Sequence, residues 1–324
     1  MDTIVCLSPF TEEQVRELAG TDRVRVLLAP DPPTRDAVRE LVPHADVLIS
    51  DIRRRHPMGR EILATMTRCR AVLQPSVGFD HIDHRAAAEL GIPVANAAGF
   101  NRDAVADWTV MAILNVVRHG ARSDREMRAG TWRLHNWMGR DLRALTVGIL
   151  GLGNVGGQVA DRLAGFGCPI LFHDVAPRER PGCEPVSLGE LLERADVVTV
   201  HVPLDDSTRG LVGEAELRRM RPGTILCNAS RGPVVDEAAL VAALGSGHLG
   251  GAALDVFEVE PLAAESPLRR MDNVFLSPHI AGGTVHARAN MLESTGANLR
   301  RVLAGQEPVN VVNGVRENGE RANG

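Results

Sequence analysis

The stretch that decides the fold is Leu145-Thr146-Val147-Gly148-Ile149-Leu150-Gly151-Leu152-Gly153-Asn154-Val155-Gly156. An apolar, β-branched run leads into Gly-x-Gly-x-x-Gly, and residues 158–163 continue with a helical pattern. In such a strand, turn and helix, Gly151 permits the tight turn, Gly153 lets a pyrophosphate approach the backbone, and Gly156 lets helix and strand pack closely. The helix N-terminus then offers N–H groups and partial positive charge to the phosphates. The pattern therefore predicts a dinucleotide site.

An acidic residue follows the next strand of this unit. Residues 170–173 form an apolar run that ends in Asp174, 18 residues beyond Gly156. A carboxylate there can accept hydrogen bonds from the adenosine ribose and would repel the 2′-phosphate of NADP, so NAD is the expected cofactor. Arg178 and Arg180 would soften that repulsion, which leaves NADP as an alternative. A phosphate-free turn is the other interpretation, because 32 glycines in 324 residues produce spaced glycines by chance.

Length and composition describe an ordinary globular protein of two domains. At 324 residues the chain exceeds the usual size of one core, and 44% of the residues are hydrophobic and 24% charged. A net charge of −5 gives no support for binding to nucleic acid or a membrane. No run is long enough to span a bilayer, the start of the chain lacks a signal-peptide pattern, and the five cysteines lack Cys-x-x-Cys spacing. A cytoplasmic protein with reduced thiols and no metal site is expected.

Strand-like and helix-like segments alternate along the chain and predict an α/β protein with two doubly wound parallel sheets. The first sheet is predicted from apolar runs at residues 3–7, 24–28, 45–49, 71–73 and 92–95. A long apolar helix is predicted at residues 101–118, and further strands follow the glycine turn at residues 170–173, 196–202, 224–228, 251–256 and 273–277. A last helix is predicted at residues 284–303. The polar tail from residue 313 is predicted to be disordered.

Three polar side chains follow strands of the predicted second sheet, where open α/β sheets bind ligands: Arg231, Glu260 and His279. Arg231 offers a planar fork of donors to a carboxylate. His279 can exchange a proton with a substrate oxygen near neutral pH, and Glu260 can orient its imidazole. Together they fit hydride transfer between a 2-hydroxy acid and nicotinamide. Taken singly, they have ordinary interpretations as a salt-bridge partner, a turn histidine and a loop charge.

With these residues in view, the chain from about Ala45 to Asn310 resembles the D-isomer-specific 2-hydroxyacid dehydrogenase family. The matching motifs are residues 76–83, 148–153, 201–204, 228–236, 254–262 and 276–283. The resemblance implies that Arg231, Glu260 and His279 form a catalytic triad in which the histidine is the acid/base. It also implies that the backbone N–H groups of Val77 and Gly78 bind the substrate carboxylate.

The resemblance further implies a Rossmann-type NAD-binding domain, residues 100–284, inserted in a smaller flavodoxin-like substrate domain. That second domain would combine residues 1–99 with the helix in residues 285–324, and two chains would form a homodimer through the cofactor domains. Asp255 is expected to hold the nicotinamide carboxamide. The full set of expected cofactor-binding residues is Gly151, Gly153, Asn154, Val155, Gly156, Asp174, Val202, Pro203, Ala229 and Asp255.

The substrate side chain is less determined than the reaction. Arg53, Arg54 and Arg55 form a run in a region that faces the cleft in this family, and this predicts recognition of a second anion, a phosphate, phosphonate or carboxylate. A solvated loop explains the run equally well, since all 36 basic residues of the chain are arginine. The chain also resembles short-form 3-phosphoglycerate dehydrogenases, including Trp132 and Trp137 ahead of the glycine turn.

Departures from the family pattern narrow the alternatives. Formate dehydrogenases of this superfamily have Gln where Glu260 stands, and phosphite-oxidising members have Lys where Val77 stands. Asp107 replaces a common Glu, so a dimer or cleft contact there is expected to differ. The leading hypothesis is an NAD-dependent D-2-hydroxyacid dehydrogenase that works as a 2-oxo acid reductase. The competing hypothesis is an NAD-sensing interaction protein of the same fold without enzymatic activity.

Overall fold

The computed structural model describes residues 1–132 and 138–315. Contacts divide the chain into two compact units, one of Met1–Asn101 with Thr284–Gly324 and the other of Arg102–Gly283. The divisions expected from the sequence came after residue 99 and after residue 284. Trp137, and the part of the predicted tail from residue 316 onward, lie outside the described residues.

Strands and helices alternate along most of the chain, as in other α/β proteins. The strands are β1 (Asp2–Cys6), β2 (Val24–Leu28), β3 (Val47–Ile49), β4 (Ala71–Gln74), β5 (Val94–Asn96), β6 (Val147–Leu150), β7 (Ile170–His173), β8 (Cys183–Pro185), β9 (Val197–Val200), β10 (Thr224–Asn228), β11 (Leu249–Leu254) and β12 (Val274–Leu276). The helices are α1 (Glu12–Ala19), α2 (Arg35–Leu41), α3 (Arg60–Leu63), α4 (His84–Glu89), α5 (Arg102–Val117), α6 (Gly120–Arg128), α7 (Asn154–Ala164), α8 (Leu188–Arg194), α9 (Glu214–Arg219), α10 (Glu237–Gly245) and α11 (Val285–Leu303).

The first unit contains a five-stranded parallel sheet in the order β2-β1-β3-β4-β5. This is the strand order of flavodoxin-like folds, as predicted. Its central strands β3 and β4 are buried on both faces, and their residues are apolar without alternation except for Gln74 at the end of β4. The C-terminal α11 belongs to the same unit, and its Gly296 lies close against Leu18 of α1.

The predicted disorder of the tail is wrong for its first residues. The side-chain amide of Asn313 donates to the carbonyl of Ile92 at 2.8 Å and accepts from the N–H of Val94 at 3.1 Å. Val315 is buried, so the chain stays attached to the edge of the first sheet to the end of the described region. Composition alone missed this because a single amide that bonds both backbone groups of an edge strand leaves no mark in residue averages.

The second unit contains a seven-stranded parallel sheet in the order β12-β11-β10-β9-β6-β7-β8. Counted from β6, this is the doubly wound Rossmann order with one added strand, so the predicted fold is confirmed. The order reverses between β6 and β9, and open sheets of this type bind ligands beyond the carboxyl ends of the strands at that point. The glycine turn follows β6 and therefore lies at this position.

Two elements of the second unit were not predicted. The short edge strand β8 extends the sheet beyond β7. Helix α6 begins three residues after the long α5 ends, and none of its residues is buried. Asp107 of α5, which stands where the family resemblance leads one to expect Glu, pairs with Arg162 of α7 at 2.5 Å. Among the described residues, no helix combines the length and the apolar character needed to cross a membrane.

Candidate active site

The glycine turn has the backbone geometry that its sequence predicts. Gly151 has a φ of +87°, and a Cβ there would lie 2.8 Å from the carbonyl oxygen of His201. A Cβ on Gly156 would lie 2.0 Å from the carbonyl oxygen of Gly151, so a side chain would push α7 away from the turn. No described atom lies within 4 Å of a Cβ placed on Gly153. The first and third glycines are therefore required by packing, and the second leaves an open surface before α7.

The open surface at Gly153 fits a dinucleotide phosphate. Within the described residues, no side chain caps α7 at this position, so the N–H groups at Asn154 and Val155 are oriented toward an incoming acceptor. A Cβ on Gly151 would also lie 3.0 Å from Val202, which follows the neighbouring strand β9. The glycine turn, the start of α7 and the segment with Val202 thus border one place at the edge of the sheet.

Asp174 follows β7 and connects the glycine turn to the next loop. One carboxylate oxygen accepts from the N–H of Leu152 at 2.8 Å and the other from the N–H of Ala176 at 2.9 Å. Of the two basic residues expected to soften its charge, Arg178 lies 3.9 Å from the carboxylate. Arg180 instead pairs with Asp161 on α7. One of the two arginines is thus committed to another acidic partner.

Glu260 and His279, predicted as partners, are in direct contact. Nδ1 of His279 lies 2.7 Å from Oε2 of Glu260, and the two side chains are about one third exposed, at 31% and 35%. The other carboxylate oxygen of Glu260 accepts from the N–H of Phe257 at 3.1 Å, which fixes the orientation of the carboxylate. A carboxylate at Nδ1 favours a proton on that nitrogen, so Nε2 is left as the atom for proton exchange.

The turn that carries His279 has an unusual backbone conformation and is held by hydrogen bonds to one buried carboxylate. His279 has a φ of +56°, a conformation uncommon for residues other than glycine. The buried Asp255, directly after β11, accepts from the hydroxyl of Ser277 and from the N–H groups of Ile280 and Ala281 at 2.8 and 2.7 Å. We call residues 277–281 the His turn.

Arg231 lies in a loop that is shaped by a buried amide. The side chain of Asn228, at the end of β10, donates to the carbonyl of Arg231 and accepts from the N–H of Ser230, both at 3.0 Å. The next residue, Gly232, packs so tightly that a Cβ would lie 1.8 Å from the carbonyl oxygen of Phe257. The Arg231 loop and the segment that orients Glu260 are therefore in contact, as expected for groups that act on one substrate.

The residues expected to bind the substrate carboxylate, Val77 and Gly78, lie in the first unit. Ser76 donates to the carbonyl of Gly78 at 2.9 Å, and Asn96 donates to the carbonyl of Val77 at 2.7 Å. The side chain of Gln74 supports Ser76 at 2.6 Å. Buried side chains thus fix the peptide groups of this loop, although nothing in the pattern of the sequence marked Gln74 or Asn96.

The run Arg53 to Arg55 forms a second loop of the first unit, which we call the Arg loop (residues 51–55). Asp51, at its start, accepts from the N–H of Arg53 at 3.0 Å and from the N–H of Arg55 at 3.1 Å. Arg53 pairs with Asp31, and Arg54, which has a φ of +55°, lies 3.7 Å from Asp80. Two of the three guanidinium groups therefore face carboxylates of their own unit.

Three features of the candidate site were not predicted from the sequence. They are the loop contacts of Asn228, the close packing of Gly232 and the contacts of Asp255 with the His turn. A signal existed for Asn228, because a polar residue that ends a wholly buried strand must find hydrogen bonds in the following loop. For Gly232 the motif contained the residue, but its closeness to Phe257 depends on a chain segment 25 positions away.

Comparison with known proteins identifies the family. Residues 110–281, more than half of the chain, match the family model described as D-isomer specific 2-hydroxyacid dehydrogenase, NAD binding domain. The chain belongs to this family. Membership confirms the predicted NAD cofactor, the oxidoreductase activity on 2-hydroxy acids and the two α/β domains.

Relatives within the D-isomer specific 2-hydroxyacid dehydrogenases carry several names. The chain is 39% identical over 290 residues to a glyoxylate reductase of Korarchaeum cryptofilum, and the match covers 87% of each protein. It is 35% identical over 309 residues to a D-3-phosphoglycerate dehydrogenase of Mycobacterium leprae, and this match covers 93% of this chain and 56% of that protein. A solved D-lactate dehydrogenase of Aquifex aeolicus, complexed with NAD and lactic acid, matches with a TM-score of 0.81 at 28% identity over 94% of this chain and 96% of the other.

Proposed function

We propose that the protein reduces a small 2-oxo acid to its D-2-hydroxy acid with NADH, and that Arg231, Glu260 and His279 carry the reaction. The observation that carries this proposal is the 2.7 Å contact between Nδ1 of His279 and Glu260 in the second unit, whose sheet also bears the glycine turn. An imidazole held by a carboxylate is suited to deliver a proton from its other nitrogen.

Each residue has one task in the proposed reaction. Bound NADH supplies a hydride to the carbonyl carbon of the substrate. Arg231 binds the substrate carboxylate through its planar fork, which fixes the position of the substrate carbonyl group relative to His279. His279 donates a proton from Nε2 to the carbonyl oxygen as negative charge develops there, and Glu260 stabilises the protonated imidazole that precedes this step. In the oxidative direction the same nitrogen accepts the hydroxyl proton.

The Arg loop bears on the substrate side chain. Arg53 and Arg54 both face carboxylates, Asp31 and Asp80, and a relative that matches over 87% of each chain is named glyoxylate reductase. These observations favour a substrate with one carboxylate and no second anion. A phosphorylated 2-oxo acid is the second candidate, because Arg54 is held in a fixed, mostly buried position and one relative is named D-3-phosphoglycerate dehydrogenase.

The assembly and location belong to the same proposal. Helix α6 has no buried residue, and Met127 and Trp132 in and after it are mostly exposed, which supports a homodimer that covers this segment. All five cysteines are free, as expected of thiols in the reducing environment of the cytoplasm.

The proposal is tested by NADH oxidation against glyoxylate, pyruvate, hydroxypyruvate, 2-oxoglutarate, phosphohydroxypyruvate and phosphonopyruvate. Turnover that disappears in His279→Ala, with NADH binding retained, is the expected result. A preference for the phosphorylated acids would select the second candidate. NADH binding without turnover of any acid would instead support the NAD-sensing interaction protein.

A further inference from the structure

Asp255 makes more contacts with the His turn than the role of a cofactor ligand requires. It directly follows β11 and is 1% exposed. Its carboxylate accepts from the hydroxyl of Ser277 and from two backbone N–H groups, those of Ile280 and Ala281. Its backbone carbonyl accepts from the N–H of His279 at 2.8 Å. All four donors belong to the five residues of the His turn.

The conformation of the His turn needs such an anchor. A residue other than glycine with positive φ is strained, and this conformation persists only when its surroundings determine it. His279 adopts a φ of +56° between Ser277 and Ile280, both of which are bonded to the same carboxylate. Hydrogen bonds to Asp255 therefore hold the chain both before and after His279.

We propose that Asp255 is a positioning residue for His279. It holds the His turn in the one conformation that presents Nδ1 of the imidazole to Glu260, and it does so through hydrogen bonds within the protein. The role of His279 itself rests on the proposed function. Since Glu260 is fixed from its own side by the N–H of Phe257, each member of the pair has a separate anchor, and Asp255 is the anchor of the histidine.

This role differs from the contact with the nicotinamide carboxamide that the family resemblance implies. An ionised carboxylate has about four lone-pair positions for hydrogen bonds, and the His turn takes three of those on Asp255. Hydrogen bonds within the protein therefore occupy most of this carboxylate, and about one acceptor position remains for the cofactor.

The two roles separate in the variant Asp255→Asn. An amide has one acceptor oxygen, and its NH₂ group would face backbone donors where the second oxygen now accepts, so the His turn loses part of its anchor. In the cofactor-free protein, we expect amide hydrogen exchange in residues 277–283 to become about tenfold faster or more. We also expect kcat to fall about 100-fold because the imidazole is misplaced, while the Kd for NADH changes less than about threefold.

The opposite pattern would overturn the proposal: unchanged exchange in residues 277–283 together with a Kd for NADH raised tenfold or more would make Asp255 a cofactor ligand. The exchange measurement needs no substrate, so it stands even if the wild-type protein turns over none of the 2-oxo acids tested. In that case the proposed function fails and the anchoring role is still decided.

Ser277→Ala decides the matter if Asp255→Asn does not fold. It removes one of the three donors, so faster exchange and lower kcat are expected in the same direction with smaller size. Ser246→Ala is the matched control, since that hydroxyl bonds the carbonyl of Ala243 at the end of α10. The control should alter neither measurement. Wild-type exchange and wild-type kcat in Ser277→Ala would count against the anchor.

Discussion

The His turn and the Arg loop are each held by hydrogen bonds to one aspartate, but the aspartate lies at a different distance along the chain from the residues that it holds. In each, a buried aspartate accepts hydrogen bonds from two backbone N–H groups: Asp255 from residues 280 and 281, and Asp51 from residues 53 and 55. Asp51 bonds its own loop, two and four positions away, whereas Asp255 bonds a turn that follows another strand.

The difference decides what each loop can hold. A local bond fixes only the shape of its own loop, and the guanidinium groups of Arg53 and Arg54 then find carboxylates nearby. The bonds of Asp255 join the ends of β11 and β12, so they place His279 relative to Glu260 on another segment. We therefore expect changes around the His turn and the Arg231 loop to reduce the reaction strongly, and changes in the Arg loop to alter substrate preference at most.

The largest contrast is expected between the arginines of the two regions. Arg231→Ala should lower kcat/KM for the best 2-oxo acid by about 1,000-fold or more, because the fork that fixes the carboxylate is lost. Arg231→Lys should recover only part, since an ammonium group cannot bind in a bidentate way. Arg53→Ala, measured in the same steady-state assay, should change kcat/KM less than about threefold. Equal losses at both positions would break the comparison.

A smaller effect is expected from one methyl group. In Gly232→Ala the added Cβ would lie 1.8 Å from the carbonyl oxygen of Phe257 and 2.5 Å from the N–H nitrogen of Glu258, so the Glu260 segment must move. A displacement near 1 Å predicts a kcat about 100-fold lower, with the Kd for NADH retained. Gly59→Ala in the first unit is the matched control, because a Cβ there meets no described atom within 4 Å. A wild-type kcat in Gly232→Ala would mean that the two loops work independently.

Each unit also contains a partly buried histidine whose lowered pKa makes stability sensitive to acid. Burial lowers the pKa of His201 in the second unit to about 3 and that of His81 in the first unit to about 4, from an ordinary 6.5. Between pH 6.5 and about 4 these histidines bind protons in the unfolded chain but stay neutral in the folded protein. The free energy of unfolding therefore falls as pH falls. Each histidine contributes a slope of at most about 1 kcal/mol per pH unit within that window.

Thermal unfolding from pH 7 to pH 5 measures this slope. His201→Gln should flatten the dependence of Tm on pH, and the exposed His286→Gln should leave it as in the wild type. The same pH dependence in His201→Gln and in the wild type would show that this histidine does not couple folding to protons.

The smallest effect is expected at Arg54. With glyoxylate or pyruvate, Arg54→Ala should change KM less than about threefold, because the guanidinium already faces Asp80. With phosphohydroxypyruvate, a KM raised tenfold or more would show that the guanidinium leaves Asp80 for a phosphate, and the Arg loop would then join the active site. Steady-state kinetics with both acids distinguishes the two results.

The sequence by itself determined what depends on short stretches. The glycine turn, the two parallel sheets and the candidate residues Arg231, Glu260 and His279 follow from local spacing, because a buried strand, a turn and a helix each leave a pattern within about ten residues. It did not show α6, none of whose residues is buried within this unit.

Only the tertiary structure decided which polar groups hold the site together. Asn228, Gly232 and Asp255 act on loops that a parallel sheet brings to one edge, although two of them contact segments more than 20 residues away. Such contacts leave no periodic signal, since they depend on the register of β10, β11 and β12 and not on the neighbours of each residue along the chain. Candidates for the reacting groups could thus be named from the sequence, whereas the contacts that hold their loops could not.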